Sequence, residues 1–161
     1  MDGTVEAFLA WAQDRRWMVR RHAAGVELPA VILSRYRRAP ESYLWFLRTA
    51  ALLVTPDETG WFNCKADFDG TSDAAFKWNE FETLSLQAAD DDEVWMQSVT
   101  RFWDVHLPVV MSVKGGYAFH AIDIGNGAVV RGEEPEFEEI EAIAASFPEF
   151  LAFIMVGRVT I

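Results

Sequence analysis

The feature that most constrains this fold is the segment of residues 107–131, because its sequence predicts three strands in succession. Apolar and β-branched stretches occupy residues 109–113, 117–124 and 128–130. Residues 114–116 and 125–127 separate them, and each of these short segments contains two glycines able to take positive φ in a tight turn. We therefore expect three neighbouring strands joined by tight turns.

The middle predicted strand, residues 117–124, carries apolar side chains on both of its faces. Alternate residues of a strand point to opposite faces, so one face would hold Tyr117, Phe119, Ala121 and Asp123, and the other Ala118, His120, Ile122 and Ile124. Neither set is suited to contact with water. The strand is thus predicted to lie inside a sheet, with helices packed on it.

Length and composition predict one domain. A chain of 161 residues buries roughly 68–70% of its unfolded surface, and no stretch has the composition of a linker, so residues 1–161 are expected to form a single domain. No apolar run approaches the roughly 18 residues of a membrane helix. Asp2 and Glu6 also stand where a secretory signal would carry Lys or Arg. We expect a cytoplasmic protein.

Charge is distributed unevenly along the chain. Residues 1–50 contain 8 Lys and Arg against 5 Asp and Glu, whereas residues 51–161 contain 6 against 20, and the net charge is −11. Such an acidic body repels nucleic acid and anionic membranes and attracts a basic protein. Arginines interleaved with aromatic residues can bind RNA, but here ion pairs with the acidic body are the favoured role of Arg15, Arg16, Arg20 and Arg21.

Two acidic segments are the candidate partner-binding residues. The first acidic segment, residues 90–93, consists of Asp90, Asp91, Asp92 and Glu93. The second acidic segment, residues 133–141, contains Glu133, Glu134, Glu136, Glu138, Glu139 and Glu141. A run of like charge is commonly just a solvated face, and docking of a basic partner is the alternative. The sequence leaves both interpretations open.

Apolar spacing and capping residues predict the remaining elements. Helices are expected over residues 4–16 with Thr4 as cap, from Pro29, from Pro40 as far as Pro56, from the first acidic segment to about Pro108, and from Ser146 with Glu149 completing a capping box. Trp95 and Trp103, on the fourth of these helices, are expected in the core. A strand is expected over residues 61–65 and an edge strand over residues 156–161. Residues 76–86 show no assignable pattern.

Few residues carry recognisable chemistry. Residues 67–73, DFDGTSD, resemble the start of a calcium loop, but an EF-hand beginning at Asp67 would need Gly at Ser72 and Glu at Trp78. Nucleophile-elbow, phosphate-binding and dinucleotide motifs do not occur in the sequence. We therefore predict no catalytic residue, no cofactor and no metal ligand.

Two side chains with reactive groups have a structural and a functional interpretation. His120 could act as acid and base together with Asp123, but a hydrogen-bonded histidine in the core is favoured. Because Cys64 is the single cysteine, the chain cannot form an internal disulfide. We expect its side chain to be a small buried hydrophobe rather than a reactive thiol.

The order of several short motifs resembles the SUKH superfamily, which includes Smi/Knr-type cell-wall assembly regulators. The resemblance covers residues 28–153. Its motifs are Leu28-Pro29, P-x-x-Y-x-x-F-L from Pro40, Trp61-Phe62, W-x-x-x-L-P-V from Trp103, the glycine turn at Gly115 and S-F-x-x-F-L from Ser146. One departure is visible, because Ala50–Val54 stands where the superfamily has a glycine-rich turn.

The resemblance implies an α+β domain with a central, mostly antiparallel sheet surrounded by helices and without enzymatic activity. Bacterial members are commonly immunity proteins that bind and neutralise a toxin, often a nuclease or a deaminase, and fungal relatives act as regulatory interaction modules. The leading hypothesis is therefore an immunity protein that binds a basic toxin domain through its acidic segments. A regulatory module for a cell-wall or signalling protein is the second hypothesis, and an enzyme using His120 and Asp123 is the third.

Overall fold

A seven-stranded antiparallel sheet organises the chain. The computed structural model describes residues 3–161, and within them the strands lie side by side in the order in which they occur along the chain. The strands are β1 (Met18–Arg21), β2 (Ala50–Val54), β3 (Gly60–Phe62), β4 (His106–Ser112), β5 (Ala118–Asp123), β6 (Val129–Glu133) and β7 (Glu141–Ala144). Each strand pairs antiparallel with the next, so β1 and β7 form the two edges.

The three strands predicted over residues 107–131 are confirmed as β4, β5 and β6. All residues of β4 are buried, and β5 lies between β4 and β6 with His120 opposite Val110 on one side and Arg131 on the other. Gly115 and Gly127 adopt positive φ in the two connecting turns. The continuous apolar character of residues 117–124 therefore identified a central strand.

Helices cover both faces of this sheet, which makes the chain an α+β domain. They are α1 (Gly3–Asp14), α2 (Ala30–Ser34), α3 (Glu41–Thr49), α4 (Lys65–Phe68), α5 (Glu80–Ala89), α6 (Glu93–Val105) and α7 (Phe147–Met155). On one face, α1, α3 and α7 bury Phe8, Phe46 and Phe150 against the sheet. On the other face, α5 and α6 bury Phe81 and Trp103 against Phe119 of β5. The two cores share one sheet, as expected of a single domain.

The helix predicted from Pro40 to Pro56 is wrong in its second half. Helix α3 ends at Thr49, and Ala50–Val54 forms β2, which pairs with β1 and β3. A short apolar run fits a buried strand or a buried helix equally well, so its spacing does not decide between them. Here Ala50–Val54 is a strand because it pairs with two neighbouring strands, and Leu53 in this strand is completely buried.

The strand expected over residues 156–161 is also wrong, because α7 ends in a glycine turn. Gly157 has a φ of 76°, and the backbone N–H of Arg158 donates to the carbonyl oxygen of Phe153 over 2.8 Å. This 6→1 bond satisfies a free carbonyl at the helix end and bends the backbone away from a strand. The strand expected over residues 61–65 stops at Phe62, and Cys64 precedes α4.

Several elements were not predicted from the sequence. β1 and β7 are short edge strands of four residues each, α4 is a single helical turn, and α5 occupies most of the unassigned residues 76–86. Thr4 lies within α1 rather than capping it. None of the helices within residues 3–161 has the length and apolar content needed to cross a membrane.

The cap predicted at Ser146 is confirmed, but the capping box predicted with Glu149 is wrong, and α6 is also capped by a side chain. Asp92 accepts a hydrogen bond from the backbone N–H of Trp95, and Ser146 accepts one from the backbone N–H of Glu149. The carboxylate of Glu149 accepts instead from the N–H of Ala145, one residue before the cap. Free N–H groups at both helix starts are therefore satisfied by side chains of the adjacent turn.

Candidate functional site

A groove on the α5–α6 face contains most of the features that could bind a partner. Its volume is about 430 Å³, and it lies between α5, the first turn of α6 and the segment that joins β6 to β7. We call it the acidic groove. It is lined by Leu84, Ser85 and Ala88 of α5, Trp95 of α6, Tyr117 before β5, and residues 134–139.

The floor of the acidic groove is anchored by Phe137. This side chain is 5% exposed and stacks on Phe81 of α5, with ring centroids 4.5 Å apart. Residue 132 must be glycine for this packing, because a Cβ there would lie 2.5 Å from the carbonyl oxygen of Phe137 and 2.6 Å from the ring of Phe119. The second acidic segment is thus held against the sheet at one aromatic residue.

Two carboxylates of the second acidic segment are fixed by hydrogen bonds. Glu134 accepts from the backbone N–H of Tyr117 over 3.1 Å, and Glu138 accepts from the indole N–H of Trp103 over 3.0 Å. Each bond uses one oxygen, Oε1, and leaves the other for a further donor. These two groups are therefore held in place at the groove without a neutralising cation.

The other glutamates of the second acidic segment fall into two pairs. Glu133 and Glu141 form ion pairs with Arg131, at 3.0 Å and 4.0 Å. The side chains of Glu136 and Glu139 have no hydrogen-bond or ion-pair partner among residues 3–161, although both line the acidic groove. The prediction treated these six residues alike, whereas only four of them lie in the groove lining.

The first acidic segment lies beside the same groove. Residues 90–92 connect α5 to α6, Glu93 is the first residue of α6, and all four side chains are exposed. Asp92 caps α6, and none of the four forms an ion pair with a basic group in the described part of the chain. In the chain, the first acidic segment therefore follows Ala88 and precedes Trp95, which both line the groove, although its own residues are not part of that lining.

Sequence reasoning placed Trp95 in the core, and this is wrong. Its side chain is 48% exposed, whereas Trp103, two turns further along α6, is 1% exposed as expected. Trp95 occupies the first turn of α6, and there it lines the groove together with Leu84, Ser85 and Ala88 of α5. Its neighbour Val94 is 77% exposed, and Tyr117, on the opposite wall, is 38% exposed. Exposed apolar groups beside a groove are typical of protein-binding sites.

His120 and Asp123 do not form the acid–base pair that the sequence allowed. They are three residues apart on β5, so their side chains point to opposite faces of the sheet. His120 packs against Phe150 and is 3% exposed, and burial together with the charge of Arg131 lowers the pKa of His120 to about 3. Its ring nitrogens have no hydrogen-bond partner among residues 3–161, so the expected hydrogen bond is also absent there.

The DFDGTSD segment and Cys64 lie together at α4. Asp67 accepts a hydrogen bond from the backbone N–H of Cys64, and burial raises the pKa of its carboxyl. Within residues 3–161, no three His, Cys, Asp or Glu side chains are grouped so as to hold a metal ion. Cys64 is 1% exposed, in agreement with the expected small buried hydrophobe, and burial raises the pKa of its thiol.

Ion pairs of arginines connect separate elements. Arg21 of β1 pairs with Glu6 of α1 over 2.8 Å rather than with the acidic body. Arg35 donates two hydrogen bonds of 2.8 Å to Glu82 of α5 and one of 2.9 Å to Asp104 of α6. Arg35 therefore joins α2 to the helix pair that forms one wall of the groove.

A scan of the chain against protein-family models finds no match, and a search of curated proteins finds no similar sequence.

Proposed function

We propose that this chain is a non-catalytic binding domain that takes a basic protein partner in the acidic groove. One observation carries the proposal, namely that unneutralised carboxylates of the second acidic segment line a single groove with an apolar floor. Four carboxylates line this groove, at Glu134, Glu136, Glu138 and Glu139, and none of them is neutralised by a basic side chain among residues 3–161.

Unneutralised charge beside apolar surface has a simple energetic consequence. Like charges held together repel each other, and a basic partner relieves this repulsion while it buries the exposed apolar groups. A groove of about 430 Å³ falls within the range of roughly 300–1,000 Å³ typical of binding sites. The site therefore suits one protruding basic segment of a larger protein surface.

The biological role that we propose is immunity against a toxin. The order of motifs from Leu28 to Leu151 resembles the SUKH superfamily, and the seven-stranded antiparallel sheet with helices on both faces is consistent with it. A toxin that acts on nucleic acid needs a basic surface for phosphate groups. An acidic domain bound to that surface would compete with the substrate directly.

The test of the proposal is affinity capture with a matched pair of variants. The tagged chain is compared with E136Q/E139Q, which removes two charges that make no internal bond, and with D14N/E27Q, which removes two exposed charges outside the groove lining. Captured proteins are identified by mass spectrometry, then purified and assayed for activity with and without the chain.

We expect the wild type and D14N/E27Q to capture one basic protein, and E136Q/E139Q to lose it. The wild type should also inhibit the toxic activity of this protein. A captured protein retained equally by all three forms would contradict the groove as the binding site. A captured cell-wall or signalling protein that depends on the groove would support binding but replace immunity by a regulatory role.

A further inference from the structure

We infer that the occupant of the acidic groove is an arginine side chain of the partner, presented on an extended segment. This inference rests on the proposed function and specifies the chemistry that the groove recognises. It follows from the pairing of exposed aromatic rings with fixed and free carboxylates in one cavity.

The aromatic walls come from two different elements. Trp95, in the first turn of α6, is 48% exposed, and Tyr117, just before β5, is 38% exposed. Tyr117 is held from behind by Phe76, with ring centroids 4.9 Å apart and planes at 81°, and by Phe81 at 6.3 Å. A ring supported on one side and open on the other offers a surface on which a cation can stack.

The carboxylates of the groove lining differ in mobility. Glu134 and Glu138 are held by hydrogen bonds at Oε1, so their free oxygens have defined positions at the groove. Glu136 and Glu139 have no side-chain partner within residues 3–161 and can turn toward a ligand. This arrangement suits a cation with several donors in a fixed plane better than a cation with one charged centre.

Arginine meets these conditions and lysine meets them less well. A guanidinium group is planar, carries five N–H donors, stacks on aromatic faces and is more weakly hydrated than an ammonium group. Its aliphatic stem would lie along the floor formed by Leu84, Ala88 and Phe137. An apolar side chain would fill the floor but would leave the carboxylates without a counterion.

The experiment uses two peptide probes of equal charge, one with two arginines and one with two lysines at the same positions between glycines. Binding to the whole chain is followed by NMR, through backbone amides and through the indole N–H of Trp95. We expect the arginine peptide to bind about three- to five-fold more tightly than the lysine peptide. Its largest chemical-shift changes should occur at Trp95 and at residues 134–139.

Two variant pairs separate stacking from charge. W95A should bring the affinity ratio of the two peptides to about one, whereas L33A, which removes another exposed apolar side chain, on α2, should leave the ratio unchanged. E136Q/E139Q should weaken both peptides, and D14N/E27Q should weaken neither.

Other outcomes overturn the inference in distinguishable ways. Equal binding of the two peptides at the groove would refute arginine selection and leave the groove as a general site for basic partners. A third peptide, with two leucines at the same positions, tests an apolar occupant, and tighter binding of that peptide would overturn the inference. If no peptide causes chemical-shift changes at the groove, the inference is refuted. The proposed function fails as well only if E136Q/E139Q also retains the captured protein.

Discussion

Replacing His120 by leucine is expected to increase the free energy of unfolding, and to increase it more at pH 5 than at pH 8. The histidine is 3% exposed in the core between β5 and α7, and its ring nitrogens have no hydrogen-bond partner among residues 3–161. A buried polar group without a partner costs about 1–3 kcal/mol of desolvation. H120L removes this cost at any pH at which the imidazole is neutral.

The pH dependence follows from the lowered pKa of His120, which is about 3 in the folded chain against 6.5 for an ordinary histidine. Between these two values the unfolded chain binds a proton that the folded chain does not bind, so the free energy of unfolding falls as the pH falls. At pH 5 the linkage relation gives a loss of about 2 kcal/mol relative to pH 8. Leucine does not titrate, so the variant avoids this loss.

Urea unfolding of the wild type, H120L and H120Q at several pH values from 8 to 5 measures both effects. H120Q serves as control, because glutamine does not titrate but remains polar. It should lose the pH-dependent difference without gaining stability at pH 8. All other titrating groups are common to the three proteins and cancel in the comparison. If the free energies of unfolding of the wild type and H120L depend on pH in the same way, His120 is not buried as an uncharged imidazole without a hydrogen-bond partner.

Three further predictions concern the residues that position the groove. E82A should lower the free energy of unfolding by about 2–3 kcal/mol in urea, because it deprives Arg35 of a two-bond partner that is largely buried. G132A should lower it by about 2–3 kcal/mol and weaken peptide binding, because the new Cβ would collide with the carbonyl oxygen of Phe137. Cys64 should react with a thiol reagent only at the rate at which the chain unfolds, because its thiol is buried and its pKa is raised.

The predictions for E82A and G132A each have a matched control. E133A breaks an exposed ion pair and should change stability by less than about 1 kcal/mol. G3A adds a Cβ with no atom within 4 Å and should not destabilise the chain. Three results would contradict the described packing. They are rapid thiol labelling of Cys64 in the folded protein, an unchanged free energy of unfolding in E82A, and a G132A variant that is as stable as the wild type and binds peptides normally.

The centre of the fold was predictable because its signals are local. Residues 117–124 are apolar at most positions and lie between two glycine-containing turns, a combination that favours a strand covered on both faces. Ser146 likewise predicts the start of its helix, since a cap acts on N–H groups two or three residues away, and the acidic run of residues 90–93 marks the start of α6. Ala50–Val54 was not predictable in this way, because its conformation depends on strands β1 and β3 as partners.

The candidate site was only half predictable. The two acidic segments are obvious in the sequence, but their meeting at one groove depends on the packing of α5 and α6 against β5 and the β6–β7 connection. Trp95 shares the helical spacing of Trp103, so the spacing does not show that Trp95 is exposed while Trp103 is buried. The separation of His120 from Asp123, in contrast, follows from strand alternation and was available from their spacing of three residues.

The central claim is that unneutralised carboxylates at the acidic groove attract a basic partner. It is tested most directly by the association rate constant of the captured partner, measured by stopped flow over a range of salt concentrations. D91N/E93Q/E136Q/E139Q, which removes two charges from each acidic segment, should associate about ten-fold more slowly than the wild type at low salt. Its rate should also depend less on salt, whereas D14N/E27Q should behave like the wild type. An unchanged rate and salt dependence in the four-site variant would contradict the claim.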